Sequence, residues 1–315
     1  MSCKSIMSHC MYIEAYSFPS YLPVPRIIVS LHADQNILFH SLDTCTLTRQ
    51  IIGFNDEITD AVLLRASSSP MPESHLALAT NSSLIRVYSI ENHDARLLSG
   101  HTSIVLSLDN GGGGRVLVSG SKDHTARIWA LGDQNRSDRT GRWGCVAVCD
   151  GHAESVGATA MSRMGRTDDK AGLRFLFTGS QDRTIKMWDL SSVPLVFAPA
   201  AEDALDPLRL KSLMTHRAHD KDINSLDVSY NDRFLASGSQ DKTAKVFEIE
   251  YVTSTGGVRG ALRLVGVCKG HRRGVWNVRF NGAEKVLATG SGDKTIKLWS
   301  LEDFTCIKVR LFHSP

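Results

Sequence analysis

The sequence predicts an all-β fold: a β-propeller of about six four-stranded blades, in a ring that is incomplete. Three observations carry this. Four segments of the chain repeat one another, beginning at Ser99, Asp150, Arg217 and Lys269. A fixed set of polar and aromatic residues returns at matched places in each. The residues between these markers form short apolar runs separated by turn residues, with no helical periodicity to interrupt them. Short strands repeated in this way are the signature of propeller blades.

In chain order, residues 1–26 read as a poorly structured N-terminal segment. They offer one short strand, YIEAYSF, before Pro19, Pro23 and Pro25 break the pattern. The propeller is assigned to 27–315. RIIVSLHADQNILFHSL reads as two strands joined by a turn at Ala33, Asp34 and Gln35. A second weak unit follows. It has Gly53-Phe54 at its start, LALATNSSLIRVYSI at its centre, Ser82 at the turn and Tyr88 at the aromatic place.

The four clear units then run SGHTSIVLSL…LVSGSKDHTARIWAL, DGHAESVGATA…LFTGSQDRTIKMWDL, RAHDKDINSLDV…LASGSQDKTAKVFEI and KGHRRGVWNVRF…LATGSGDKTIKLWSL. Each opens with a histidine (His101, His152, His219, His271) and carries a turn aspartate (Asp123, Asp182, Asp241, Asp293). The interval is 22 residues in the first, third and fourth units and 30 in the second. The excess, around MSRMGRTDDKAGLR, reads as a polar insertion in a hairpin loop. A hydroxyl residue stands four places before each aspartate: Ser119, Thr178, Ser237 and Thr289. An aromatic stands six places after it: Trp129, Trp188, Phe247 and Trp299. Turns such as Lys-Asp-His-Thr and Gly-Asp-Lys-Thr between Val-, Ile- and Leu-rich runs fit tight antiparallel hairpins.

A hydroxyl, a histidine and an aspartate are also the parts of an acyl-transfer site. The fourfold repetition speaks against that reading, because an enzyme needs one such site, and no Gly-x-Ser-x-Gly elbow exposes a nucleophile. A structural role explains the repetition, so no catalytic residue is assigned. Gly111 to Gly114 lead into another strand, not a helix, and no Lys-Ser/Thr follows. A flexible hairpin turn is therefore expected there in place of a phosphate cradle. The seven cysteines (3, 10, 45, 145, 149, 268, 306) contain no Cys-x-x-Cys pair. They read as separate thiols of a reducing compartment, with no metal and no cofactor expected.

Composition is that of an ordinary globular protein, 42% hydrophobic and 22% charged, with a net charge of +3. That mild excess does not by itself argue for nucleic acid. Polar residues and prolines interrupt every apolar run near the N-terminus. No run approaches the ~18 residues of a membrane span, so no membrane is expected; with no catalytic residue assigned, no small-molecule substrate is expected either.

The Gly-His openings, the Ser/Thr-Gly-Ser-x-Asp-x-Thr centres and the Trp188-Asp189 close resemble the WD-repeat family. That resemblance implies a hydrogen-bonded chain from Asp through His and Ser/Thr to the indole N–H, repeated per blade. Phe247 lacks the N–H, so the third clear unit keeps only the packing. HDKDINSLDVSYNDRFLASGSQDKTAKVF, GHRRGVWNVRF, LATGSGDKTIKLWSLEDFTCIK and GFNDEITDAVLL narrow the resemblance. They are similar to the transducin-beta-like branch associated with the U3 small nucleolar ribonucleoprotein of the small-subunit processome. The match is to the second of that branch's two propellers, and LFHSP stands where its pattern continues into a further unit. This implies a nucleolar scaffold in processing of the 18S ribosomal RNA precursor, with other processome proteins as partners and indirect or backbone contact with RNA.

A propeller also sets the His-bearing loops and Asp-bearing turns on one face. Lys122, Arg183, Lys221, Lys242, Arg272, Arg273 and Lys294 would lie there, among Glu154, Asp220 and Asp222. A solvated mixed rim and a contact surface for RNA or an acidic protein are both open at this point. The alternatives from other classes are a ubiquitin-ligase substrate receptor and an enzyme built on a propeller. The first often ends a blade in Trp-Asp-x-Arg, whereas Trp188-Asp189-Leu190-Ser191 has no arginine.

Overall fold

Turn residues divide the chain into strands of a few residues each, and antiparallel pairing of successive strands builds six separate sheets. A computed structural model describes residues 13–15, 27–31, 36–41, 43–51, 56–64, 75–89, 95–131, 143–164, 173–194, 206–255, 257–282 and 285–311. Most of the 1–26 segment, the turn at Ala33, Asp34 and Gln35, the Gly53-Phe54 opening and the middle of the MSRMGRTDDKAGLR insertion lie outside those residues.

The first blade is β1 (Ile13–Ala15), β2 (Ile27–Leu31), β3 (Ile37–Ser41) and β4 (Leu47–Ile51). β1 stands before residue 26 and pairs with β2. The second blade is β5 (Ile58–Leu64), β6 (His75–Thr80), β7 (Ile85–Ser89) and β8 (Ala95–Leu98). The third is β9 (Val105–Gly111), β10 (Val116–Ser121), β11 (Ala126–Leu131) and β12 (Trp143–Cys149). Its glycine run closes a hairpin, through a 3-10 turn over Gly112–Gly114.

In the fourth blade β13 (Val156–Met161), β14 (Phe175–Ser180) and β15 (Thr184–Asp189) come first. A detour follows: β16 (Leu208–Leu210) pairs in parallel with the outer strand β12 of the third blade. β17 (Ser212–Arg217) then completes the fourth. The fifth blade is β18 (Ile223–Val228), β19 (Phe234–Ser239), β20 (Thr243–Ser254) and β21 (Gly257–Lys269). The sixth is β22 (Val275–Phe280), β23 (Val286–Ser291), β24 (Thr295–Ser300) and β25 (Cys306–Leu311).

Register repeats with the sequence. The aromatic of each third strand lies opposite a leucine of the second: Tyr88 opposite Leu76, Trp129 opposite Leu117, Trp188 opposite Leu176, Phe247 opposite Leu235 and Trp299 opposite Leu287. The core is divided among the seams between successive blades. Val118, Ile128, Val156 and Trp188 fill the seam between the third and fourth blades. Phe177, Met187, Ile223 and Phe247 fill the next. Ala236, Val246, Val275 and Trp299 fill the last. A sheet buried on both faces reads as a continuous apolar run, which is why β10 and β14 are buried at every position.

Three glycines set the seam width. A Cβ on Gly120 would stand 2.9 Å from Val156 Cγ1, on Gly179 2.7 Å from Ile223 Cγ2, and on Gly238 2.8 Å from Val275 Cγ1. At the matching Gly290 the nearest atom is Asn277 Cβ of the same blade, 3.9 Å away. Ala288, Ile296 and Leu298 around it are half-buried. The six blades form a propeller that is not closed by hydrogen bonds: among the described residues no strand of the sixth pairs with the first.

Candidate functional site

The loop entering each of the third to sixth blades carries the histidine, and the turn between the blade's second and third strands carries the aspartate. In the third blade His101 Nδ1 lies 2.7 Å from Asp123 Oδ2 and His101 Nε2 lies 2.7 Å from Ser119 Oγ. The Trp129 indole donates to that same oxygen at 2.8 Å. The fourth blade repeats this with 2.8 Å at each link of Asp182, His152, Thr178 and Trp188. The sixth has 2.9, 2.7 and 2.8 Å through Asp293, His271, Thr289 and Trp299. In the fifth, Asp241, His219 and Ser237 meet at 2.8 and 2.7 Å, and the chain stops because Phe247 has no donor. Edge-on contact with His216, ring centroids 5.4 Å apart, packs that phenylalanine instead.

The pattern of donors assigns the protons. A carboxylate can only accept, so the histidine donates from Nδ1. In that neutral tautomer Nε2 accepts the hydroxyl proton, and the hydroxyl oxygen accepts from the indole where one is present. Each aspartate also caps its turn. Asp123 Oδ1 accepts from the backbone N–H and the hydroxyl of Thr125 at 3.0 and 2.7 Å, while Oδ2 accepts from the N–H of Thr102 at 3.0 Å. Asp182, Asp241 and Asp293 do the same with Thr184, Thr243 and Thr295.

The residue after each aspartate has a left-handed backbone: His124 (φ 69°), Arg183 (70°), Lys242 (72°) and Lys294 (64°). That conformation costs about 1 kcal/mol for a side chain other than glycine, and the aspartate's bonds to the turn offset it. Partial burial opposes the charge of Asp123. Hydrogen bonds from His101, Thr125 and the Thr102 amide outweigh it, holding the carboxyl well below the ordinary carboxylate range. Asp182 and Asp241 share this balance. At Asp293 the bonds from Thr295, Arg272 and His271 outweigh burial in the same way. The hydroxyls are closed to any substrate, at 0% exposure for Ser119, Thr178 and Ser237 and 1% for Thr289. Each set ties together the entry loop, the turn and the inner strands of its own blade.

The second blade imitates the aspartate turn with a serine. Ser82 Oγ accepts from the Leu84 N–H at 3.2 Å, as the aspartates do from their threonines.

Asp123, Asp182, Asp241 and Asp293 bind the backbone next to their histidines, so the His loops and Asp turns share one face. Lys122, Arg183, Lys221, Lys242, Arg272, Arg273 and Lys294 are all exposed there, with Glu154 and Asp220 among them. Between the fourth and fifth blades this face opens into a pocket of about 520 Å³, lined by Arg183 and Arg217 and by Glu154, Asp182 and Asp222. The rim is mixed in charge, with Lys122, Arg183, Lys242 and Lys294 on the aspartate turns and Lys221, Arg272 and Arg273 on the histidine loops. Among the described residues no group of His, Cys, Asp and Glu could hold a metal, and no helix is long and apolar enough to cross a membrane.

A second polar assembly lies along the inner strands, outside the repeated sets. Asp109 accepts the Met161 N–H of the next blade at 2.7 Å, and Asp227 accepts the Phe280 N–H of its next blade at 2.8 Å. Arg163, from the start of the insertion, bridges Asp109 and Asp227, 3.1 Å from each. Arg174, at the end of the insertion, pairs with the buried Asp232 at 2.9 Å. A signal for the acids existed in the matched Ser-Leu-Asp triplets at Ser107–Asp109 and Ser225–Asp227. Nothing repeats around Arg163.

Comparison with known proteins matches the family described as WD domain, G-beta repeat, at residues 93–130, 143–189, 210–248 and 262–300. The chain is 39% identical over 254 residues to Transducin beta-like protein 3 of Mus musculus, covering 81% of this chain and 28% of that protein. It is 38% identical to the Homo sapiens protein of the same name, over 80% and 28%. U3 small nucleolar RNA-associated protein 13 of Saccharomyces cerevisiae is 32% identical, over 75% and 26%. The chain thus spans little more than a quarter of the length of each of these relatives.

Proposed function

From the premise that this chain belongs to the WD40-repeat family, we propose that its propeller is a scaffold within the U3 small nucleolar ribonucleoprotein machinery of ribosome biogenesis. The observation that carries this is its similarity, over about four-fifths of the chain, to Transducin beta-like protein 3. A yeast relative named for its association with U3 small nucleolar RNA supports it. Its place is then the nucleolus and its partners are other small-subunit processome proteins.

The face bearing Arg272, Arg273, Lys294 and Arg183 is the surface we assign to those contacts. Exposed lysines and arginines there suit phosphate or carboxylate, with RNA met through its backbone or through intervening protein. The exposed Trp276 stands beside Arg273 and Gly292 among these charges, and the proposal rests on charge contacts, not on base stacking. The ubiquitin-receptor reading has less to support it. Asp189 of the one Trp-Asp pair lies beside Leu190 and Ser191 and accepts the Tyr251 hydroxyl at 2.9 Å.

The test is affinity purification of the tagged chain from cell extract, with U3 small nucleolar RNA and a spliceosomal small nuclear RNA measured in the eluate. Selective enrichment of the U3 RNA is expected. Equal recovery of the two, or recovery of cullin adaptors instead, would overturn the reading.

A further inference from the structure

The fifth blade ends in an outer strand unlike the others. β21 is 13 residues long, against 5, 4, 7, 6 and 6 in β4, β8, β12, β17 and β25. It pairs with β20 from Thr243 opposite Lys269 to Ser254 opposite Gly257, well past the end of the blade. Its other side has no strand partner among the described residues. Exposed edges are commonly kept short, interrupted by proline or covered, because their free amides and carbonyls recruit another strand. β21 is long, contains no proline, and exposes Leu264 (48%) and Val265 (38%).

The hairpin is also held in place. Tyr251 packs on Phe175 at 5.3 Å and donates to Asp189, and Arg174 lies over the Tyr251 ring at 5.4 Å. Leu262 and Ile249 join the seam with the fourth blade. A strand already ordered has less freedom to lose on pairing, which favours binding.

Two observations say what would bind. The first is a precedent within the molecule. The outer edge of β12 is already lengthened by β16, three residues of a connecting segment, with Ala147 opposite Leu208 and Cys149 opposite Leu210. An outer edge of this ring therefore accepts an extended segment as a fifth strand. The second is charge. Arg259, Arg263 and Lys269 are exposed along β21, and the nearby Arg233 side chain is 63% exposed. Arg233 and Arg263 both pair with Glu248, and with the exposed Glu250 opposite Ala261 that sets two carboxylates against Arg233, Arg259 and Arg263. Arg259 and Arg263 stand four residues apart and so share one face of the strand, while Leu262 and Leu264 are on the other.

We propose that the outer edge of β21 is a docking strand for an extended segment of a protein partner in which acidic and apolar residues alternate. The segment adds beside β21 as β16 adds beside β12. Main-chain hydrogen bonds supply the affinity, and its carboxylates over Arg259 and Arg263 set register and selectivity. This surface is separate from the basic face and does not depend on the U3 assignment.

The experiment uses the full chain and a fluorescent synthetic peptide of alternating Glu and Val, read by anisotropy. Binding is expected. Methylating one alternate set of peptide amides should abolish it, and methylating the other set should leave it, since only one set faces β21. Arg259→Glu with Arg263→Glu should weaken binding about tenfold or more, with the melting transition unchanged. Should that pair disturb folding, Arg259→Glu alone, which leaves the Arg263–Glu248 pair intact, must still lower affinity. Absence of binding, equal binding of both methylated peptides, or displacement by a uridine oligonucleotide with the same arginine dependence would overturn the proposal.

Discussion

Arg163 reaches from the fourth blade to Asp227 on the inner strand of the fifth, 3.1 Å away, while its other guanidinium nitrogen holds Asp109 of the third. One side chain therefore spans three blades. Both acids are largely buried, with side-chain exposures of 9% and 8%. Removing the arginine leaves two buried carboxylates short of a counter-charge. Breaking such a pair costs about 3–5 kcal/mol, eased here because Asp227 keeps Arg279 at 3.3 Å. Arg163→Met should therefore lower unfolding free energy by about 3 kcal/mol in denaturant melts. A loss no larger than that of an ordinary surface substitution would contradict this role.

The polar sets should differ in strength with their aromatic. Asp293→Ala leaves His271 and the turn amides without their acceptor, at about 1–3 kcal/mol. Asp241→Ala should cost less: Phe247 already shortens that chain, and the Asp220 N–H lies 3.3 Å from its carboxylate where Arg272 N–H lies 2.8 Å from Asp293. Denaturant melts of the two variants, showing equal or reversed losses, would refute the ranking.

Acid should unfold the protein through the four turn aspartates. Their folded-state carboxyls sit below the ordinary value, so the stability they give is present above about pH 4, the unfolded value. It is lost as pH falls toward the depressed folded value. Asp60 acts in the opposite direction. Burial pushes its carboxyl up to about 7, against the bonds it accepts from the Leu108 and Ala61 amides. A raised acid favours the folded state below the unfolded value and loses that advantage as pH rises. Between about pH 4 and 7 stability should therefore decline through Asp60. Asp60→Asn should flatten that slope in melts run across the interval, and an unchanged slope would remove Asp60 from the account.

Glycine at the seams is required by the approach of the next blade, so Gly238→Ala should cost about 1–3 kcal/mol through crowding against Val275 and Val278. Gly290→Ala, at the matched position with no such neighbour, should be neutral or stabilising by about 0.4–1 kcal/mol. Equal melting shifts for the two would show that the last blade face is covered in solution.

Much of this was legible in the sequence because it repeats. His101, Asp123, Ser119 and Trp129 are recognised by their three echoes, and the missing donor at Phe247 stands out against the same echoes. Of the two blades that lack the set, the first is legible only as a pair of strands, and the second through Ser82 at its turn and Tyr88 at its aromatic place. Arg163 and Tyr251 were not legible at all: each acts between blades through a partner more than 60 residues away, Asp227 and Asp189, and neither has a repeated counterpart. β16 is three residues within a connecting segment, too short for any periodicity. What repeats builds the blades, and what does not repeat joins them.

Whether the basic face is the surface that meets the U3 particle is tested most directly by U3 small nucleolar RNA recovery with an Arg272→Glu, Arg273→Glu double variant at low and high salt. Both side chains are exposed beside His271, outside its hydrogen-bonded set, so melting should not change. Recovery should fall below that of the unaltered chain at low salt. The difference should shrink at high salt, since exposed charges are screened beyond ~8 Å at physiological ionic strength. Undiminished recovery at low salt from a normally folded variant would contradict the assignment of this face.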